Sequence, residues 1–254
     1  MRLGNEVEFP LCFLGAIWAG VIPVPASAAL TGPEITRLAA GLTPALIVAA
    51  PDISLPDPAP CPVLPALALR EMETEPPAAP ELGPPDRPAF IVYTSGTSGK
   101  PRGVIHAHRA VRARRMMWEG WYGLRESDRL LHAGAFNWTY TLGTGLLDPW
   151  AIGATALIPR DGVAPSLIPL LLERFDATIF ASSPGIYRRI LAHHPKIGAP
   201  KLRHGLSAGE KLPEPLRAAW RAATGTEVHE ALGMSECSTF VSGSPARPAP
   251  DGAT

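Results

Sequence analysis

Cysteine is scarce in this chain: Cys12, Cys61 and Cys237 lie far apart, with no C-x-x-C pair. That excludes a disulfide framework and gives no zinc site, and it points to a reducing, cytoplasmic setting. No sign of charge predominates, because 23 basic side chains balance 23 acidic ones. Such a chain has no overall field to draw it to nucleic acid or to anionic lipid. Histidine pairs exist at His106/His108 and His193/His194, but neither has a third ligand at metal-site spacing. Long apolar runs are short of membrane length. Phe9 to Leu30 is uncharged and Ala26-Ser27-Ala28 mimics a signal-peptidase site. Glu6 and Glu8 nevertheless spoil a positive leader, and Pro23 and Pro25 interrupt the span. A buried helix from Phe9 to Ala19 followed by a short strand near Val21 to Val24 is the better account. There is no internal repeat.

What the chain does have is hydroxyls and glycine, concentrated in Tyr93-Thr94-Ser95-Gly96-Thr97-Ser98-Gly99-Lys100-Pro101-Arg102-Gly103 directly after the apolar run Ala89 to Tyr93. Glycines let backbone N–H groups close on an anion, and hydroxyls with a Lys100 ammonium add donors, as a polyphosphate cradle requires. The run is not a Walker loop. Counting back from Gly99, Thr94 stands where the first glycine belongs, and Pro101 replaces the magnesium-binding hydroxyl. Pro101 also pushes Lys100 away from helical geometry, so a hairpin-like loop is predicted rather than a helix N-terminus. The alternative is a solvated Gly/Ser/Thr turn.

Elsewhere short apolar runs alternate with helix-like segments. Ala45 to Ala49 reads as a buried strand, and the stretch from Pro51 to Pro88 carries twelve prolines, predicting surface loop or linker. Strands are expected near Arg129 to His132, Ala154 to Ile158 and Ala177 to Ala181, with a further strand ending at Ser207 and another at Glu227 to Ala231. Helices are expected near Arg109 to Gly120, Gly145 to Ala151, Pro165 to Phe175, Gly185 to His193 and Pro213 to Ala223. The alternation predicts an α/β fold of mostly parallel sheets flanked by helices, built from right-handed βαβ units. Arg109, Arg112, Arg114 and Arg115 read as a solvated helix face, with phosphate binding as the lesser reading. Gly205-Leu206-Ser207-Ala208-Gly209 satisfies G-x-S-x-G, which raises a serine hydrolase using Ser207. Pro213 and Pro215 argue against the helix such an elbow opens into, and Glu227 with His229 makes a cramped acid-base pair.

The Tyr93 to Gly103 run resembles the phosphate-loop signature of the adenylate-forming enzymes: acyl-CoA synthetases, luciferases and peptide-synthetase adenylation domains. Leu206-Ser207-Ala208-Gly209-Glu210-Lys211-Leu212-Pro213, Ala231-Leu232-Gly233-Met234-Ser235-Glu236-Cys237 and the N-terminal stretch from Gly4 to Gly20 resemble it too, in family order. The flavour is that of AMP-forming carboxylic acid-CoA ligases. The resemblance implies that Thr94, Ser95, Gly96, Thr97, Ser98, Gly99 and Lys100 grip the β- and γ-phosphates of ATP. It implies that the backbone of Ala208, Gly209 and Glu210 lines the adenine pocket. Lys100, Ser235 and Glu236 then become the catalytic set, with Ser235 on the α-phosphate and Glu236 holding Mg2+, a hard cation that takes oxygen ligands. The alternative for Glu236 is an exposed carboxylate at a strand end. Leu232 replaces a tyrosine common in the family, removing a ring from the adenine. Ala133 to Thr141 sits where many members place a histidine or aromatic gate. No histidine falls in that window, so Phe136, Asn137 and Trp138 are the candidate acid pocket, or else ordinary core.

By the same resemblance residues 1–50 begin a truncated N-terminal domain, residues 51–88 are a Pro-rich surface loop, and residues 89–254 are an ATP-binding core that stops before the family's hinge and small domain. The implied reaction is ATP-dependent conversion of a carboxylic acid to acyl-adenylate and then acyl-CoA. The implied small molecules are ATP, Mg2+, CoA and the acid. A non-catalytic ATP-binding or interaction module left from such an enzyme is the alternative. Exposed apolar surface on a fragment raises a homodimer or a complementing C-terminal fragment as partner.

Overall fold

The computed structural model describes residues 1–94 and 101–250. The chain divides into two compact units: the first holds Met1–Ala110 with Ala135–Asn137, the second Val111–Gly134 with Trp138–Thr254.

In the first unit, α1 (Glu8–Trp18) buries Phe9 and Phe13. These rings continue into a run of aromatic contacts. Phe9 stacks on Phe136 at 4.4 Å, Phe13 meets Phe90 edge-on at 5.4 Å, and Phe90 stacks on His106 at 4.6 Å. Offset and edge-on aromatic pairs add to the energy of burial itself, so this row is the centre of the unit. The segment after α1 is extended, yet it forms no strand as predicted at Val21 to Val24. Pro23 and Pro25 remove ladder donors. Its carbonyls are taken singly instead: the terminal ammonium donates to Val24 O at 2.8 Å and Ile91 N–H to Pro23 O at 3.1 Å. Helix α2 (Gly32–Ala40) follows, opened by Glu34, whose carboxylate accepts the Thr31 N–H at 2.8 Å.

Strand β1 (Ile47–Ala49) pairs in parallel with β2 (Val63–Pro65), Ile47 opposite Val63. β2 and the short helix α3 (Ala68–Glu71) both lie in the stretch expected to be loop. The prolines explain the difference, since they cluster on either side of the proline-free run from Ala66 to Glu75 and leave it room for a turn of helix. Strand β3 (Pro88–Thr94) then pairs antiparallel with β4 (Arg102–Ala107), Thr94 opposite Arg102.

The second unit begins within α4 (His108–Ala113) and is built on a six-stranded sheet. Its strands are β5 (Arg129–His132), β6 (Thr155–Leu157), β7 (Ile179–Ser182), β8 (His204–Ala208), β9 (Glu227–Met234) and β10 (Ser238–Ser242). Their spatial order is β10-β9-β8-β7-β5-β6, parallel throughout except for β10, which folds back antiparallel on β9. Helices α5 (Asp148–Ile152), α6 (Ile168–Arg174), α7 (Pro184–Leu191) and α8 (Glu214–Thr224) connect the parallel strands. Both faces of the sheet are covered, as parallel sheets require. Leu131, Phe180 and Val228 pack with Tyr187 and Trp220 on one face, while Leu130, Ile179 and Leu206 pack with Trp121, Tyr122 and Tyr140 on the other. The predicted α/β class and the parallel strands are therefore present.

Helix limits differ most where glycines stand. Thr141–Leu147, rich in glycine, winds wider than an α-helix before α5 continues it, and Trp118–Tyr122 does the same after α4. Among the described residues no helix is long and apolar enough to cross a membrane. The three cysteines are free.

Candidate functional site

In the first unit the phosphate-loop run is carried between two paired strands, with Tyr93 opposite Gly103 at its base. Thr94 ends β3 and is half-buried. Ser95, Gly96, Thr97, Ser98, Gly99 and Lys100 lie outside the described residues.

In the second unit a cavity of about 70 Å³ opens at the carboxyl ends of β8 and β9, beside the segment that leaves β5. Trp138, Tyr140, Ala208, Gly209, Met234 and Ser235 are among its walls. The carboxyl edge of a parallel sheet is where open α/β folds bind ligands, because the connecting loops diverge there. Gly209 is held at φ 98°, and a side-chain carbon on it would stand 2.8 Å from the Trp138 ring. Replacing Gly209 with alanine is therefore expected to cost about 1–3 kcal/mol through backbone strain and displacement of that ring. A denaturant midpoint unchanged from the parent, with unaltered Trp138 emission, would contradict it.

Ser235 and Glu236 occupy the turn between β9 and β10. Ser235 Oγ accepts the Thr139 hydroxyl at 3.0 Å, tying this turn to the segment after β5. Glu236 is exposed. Glu210, also exposed, accepts the Gly185 N–H at 3.2 Å at the start of α7. Thus Trp138, Ala208, Gly209 and Ser235 are brought to one cavity. Phe136 has a different place: it is 4% exposed, stacked on Phe9, and its N–H donates to Asn5 Oδ1 at 3.1 Å within the first unit. Asn137 is half-buried in that unit as well.

Two side chains were not anticipated, one on the wall of this cavity and one behind it. Arg114, expected on a solvated helix face, is buried just beyond the end of α4, with its side chain 10% exposed. Its Nε and Nη2 donate to the two oxygens of Asp148 at 2.9 and 2.6 Å. Nη2 also donates to the Tyr122 hydroxyl at 3.0 Å and Nη1 to Ser238 Oγ at 2.9 Å. Tyr122 in turn donates to Asp148 at 2.7 Å and shares a bond with Thr144 at 2.8 Å. Burial alone would lower the guanidinium pKa, but the Asp148 carboxylate more than offsets this and raises it. The second is His132, the last residue of β5, one position before the window searched for a histidine. It is fully buried, edge-on to Tyr140 at 4.4 Å and to Trp138 at 6.4 Å. Neither ring nitrogen has a partner, and burial pushes its pKa down to about 3, so the ring is neutral.

The hydrolase reading of Ser207 does not survive. Ser207 lies inside β8, not on a strand-to-helix turn, and is 0% exposed. Gly205 has another role, since a side-chain carbon there would stand 2.7 Å from the Tyr187 hydroxyl. That hydroxyl reaches across β8 to donate to Phe180 O and Leu206 O at 3.1 and 2.9 Å.

This fold is that of the N-terminal domains of adenylate-forming CoA ligases. A benzoate-CoA ligase structure from Burkholderia xenovorans superposes with a TM-score of 0.86 at 24% identity, covering 98% of this chain and 55% of that one. An anthranilate-CoA ligase bound to anthranoyl-AMP superposes equally, at 0.86 and 25% identity, covering 97% and 51%. The sequence matches the AMP-binding enzyme family over residues 1–253, and the chain belongs to that family. Benzoate-CoA ligase from Thauera aromatica is 31% identical over 250 residues, 91% of this chain and 47% of the relative. A 4-hydroxybenzoate/benzoate-CoA ligase from Rhodopseudomonas palustris is also 31% identical, over 92% of this chain and 47% of its own length. The chain thus spans about half the length of these curated relatives.

Proposed function

We propose that this chain serves the ATP-dependent activation of an aromatic carboxylic acid in the AMP-forming manner. The acid's carboxylate oxygen attacks the α-phosphorus of ATP, the bond to the β-phosphate oxygen breaks, and pyrophosphate leaves. A CoA thiolate then attacks the acyl carbon and AMP departs. The observation that carries this reading is the cavity at the ends of β8 and β9, where an indole wall stands beside Ala208, Gly209 and the Ser235 hydroxyl. The aromatic acids named for the relatives support the substrate class. An apolar ring slot with a few fixed polar groups is the usual form of such a site.

In this reading residues Thr94 to Lys100 hold the β- and γ-phosphates, Ala208 to Glu210 present backbone to the adenine, and Ser235 bonds the α-phosphate. Glu236 fits a Mg2+ ligand, because this ion is commonly held by one or two carboxylates plus substrate phosphates and keeps its remaining waters. When bound, the ion would neutralise phosphate charge. ATP and CoA as substrates, with three free cysteines, suit a cytoplasmic enzyme.

Incubating the chain with ATP, Mg2+, an aromatic acid and hydroxylamine is expected to give the hydroxamate and matching pyrophosphate. ATP binding without any acid-dependent pyrophosphate would favour a non-catalytic nucleotide module instead. Lys100→Ala and Glu236→Gln are each expected to weaken Mg-ATP binding about ten- to a hundredfold, the worth of one charge-assisted contact. Calorimetry showing parental affinity for both variants would remove these residues from the site.

A further inference from the structure

We propose that Arg114 is a positioning residue for metal-bound nucleotide: its bond to Ser238 holds the turn between β9 and β10 so that Glu236 is presented to the magnesium of Mg-ATP. This rests on the reading of Glu236 above and adds to it a side chain 124 positions from Ser238. Arg114 acts through Ser238 and not on the nucleotide.

The turn is tight, closed by the Cys237 N–H on Met234 O at 3.2 Å. Glu236 is exposed on it, and among the described residues nothing bonds its carboxylate, so the backbone of the turn sets where that carboxylate stands. Among the described residues two side-chain bonds from other segments reach this turn, one at each end. Thr139 donates to Ser235 Oγ at 3.0 Å, and Arg114 Nη1 donates to Ser238 Oγ at 2.9 Å. Ser238 sits at φ 58°, in the left-handed region. A residue other than glycine stays there only where its surroundings over-determine it, and such positions gather at ligand sites. The Arg114 bond is the polar constraint at that residue.

Arg114 is itself firmly aimed. Two bonds to Asp148 and one to the Tyr122 hydroxyl fix the plane of the guanidinium, whose donors stand at set angles. Gly143 leaves the slot in which it lies, since a side-chain carbon there would overlap the guanidinium. A buried ion pair adds little stability over a hydrophobic pair of the same volume. What this pair adds is direction: three of the bonds anchor the guanidinium, and the fourth leaves the anchor for Ser238, two residues past Glu236. Partners behind a metal ligand govern metal affinity in just this way, by orienting the group that binds.

The test is a calorimetric titration of the chain with ATP, once with Mg2+ and once with a chelator, on variants shown folded by circular dichroism. Ser238→Ala, and separately the paired change Arg114→Met with Asp148→Leu, which strands no charge, are each expected to lower Mg-ATP affinity about tenfold while leaving metal-free ATP within about twofold of the parent. Ser238→Asn is expected to recover most of the loss, because asparagine tolerates the left-handed backbone and its side-chain oxygen can accept from Arg114. Parental Mg-ATP affinity in Ser238→Ala and in the paired variant overturns the proposal. Equal losses with and without the metal overturn it too, since they show only the packing of β10. Glu236→Gln in the same series separates the two readings: if it alone weakens Mg-ATP, Glu236 remains a metal ligand and the positioning role of Arg114 falls. If Glu236→Gln matches the parent, or the folded parent binds no Mg-ATP, the reading of Glu236 fails and this inference with it.

Discussion

Replacing Asp148 with alanine is expected to destabilise the protein by about 3–5 kcal/mol, since it leaves a buried guanidinium without its counter-charge. Asp148 is 2% exposed in its side chain and accepts both Arg114 bonds as well as the Tyr122 proton. With the carboxylate gone, Arg114 keeps only the neutral oxygens of Tyr122 and Ser238. Asp148→Asn, which keeps an acceptor, should cost less. Arg114→Met combined with Asp148→Leu should come closer to the parent than either single change, because no charge is stranded. Urea denaturation distinguishes these cases. A loss under about 1 kcal/mol for Asp148→Ala would mean that the pair is solvated. Total stabilities of about 5–15 kcal/mol make the larger figure severe.

Acid is expected to have an effect of similar size. Stability should fall by about 4 kcal/mol between roughly pH 7 and pH 5, with histidine as the cause. Burial pushes His132 down to about 3, and burial with the nearby Arg203 and His229 charges pushes His204 down to about 4. In the unfolded chain both rings titrate near about 6.5. Above that value neither state is protonated and stability is complete. As pH falls below it, the unfolded chain takes up protons that the folded chain refuses until its own lower pKa values are reached, so stability declines through that window. His229, also lowered by burial, acts in the same direction. His132→Gln should flatten about half of the slope, one of the two protons having been removed. A parent whose denaturant midpoint is level across this range would show that the rings are hydrated.

Much of the second unit was legible from local pattern. β5, β7, β8 and β9 are short apolar runs bounded by turn residues, and burial on both faces makes such runs conspicuous. β10 was not legible, because Ser238-Thr239 is polar and the strand exists only through its pairing with β9. β2 was hidden among prolines for the same kind of reason. At the candidate site, Trp138, Ala208, Gly209 and Ser235 could be nominated from motifs, since each lies at or just past a strand end. Arg114 could not. Its partner Asp148 is 34 positions away, and four arginines in seven residues look like a wet helix face unless that carboxylate is known to be opposite. His132 was overlooked by a single position. A histidine closing an apolar strand is the signal that would have found it.

The stacking of Phe136 on Phe9 also bears on how the protein is made. Three residues from the middle of the chain complete the core begun by its first 110. A nascent chain released from the ribosome tunnel in order therefore carries an uncapped Phe9 face until Phe136 has also emerged, and during that interval the early segment presents apolar surface to chaperones and to other nascent chains.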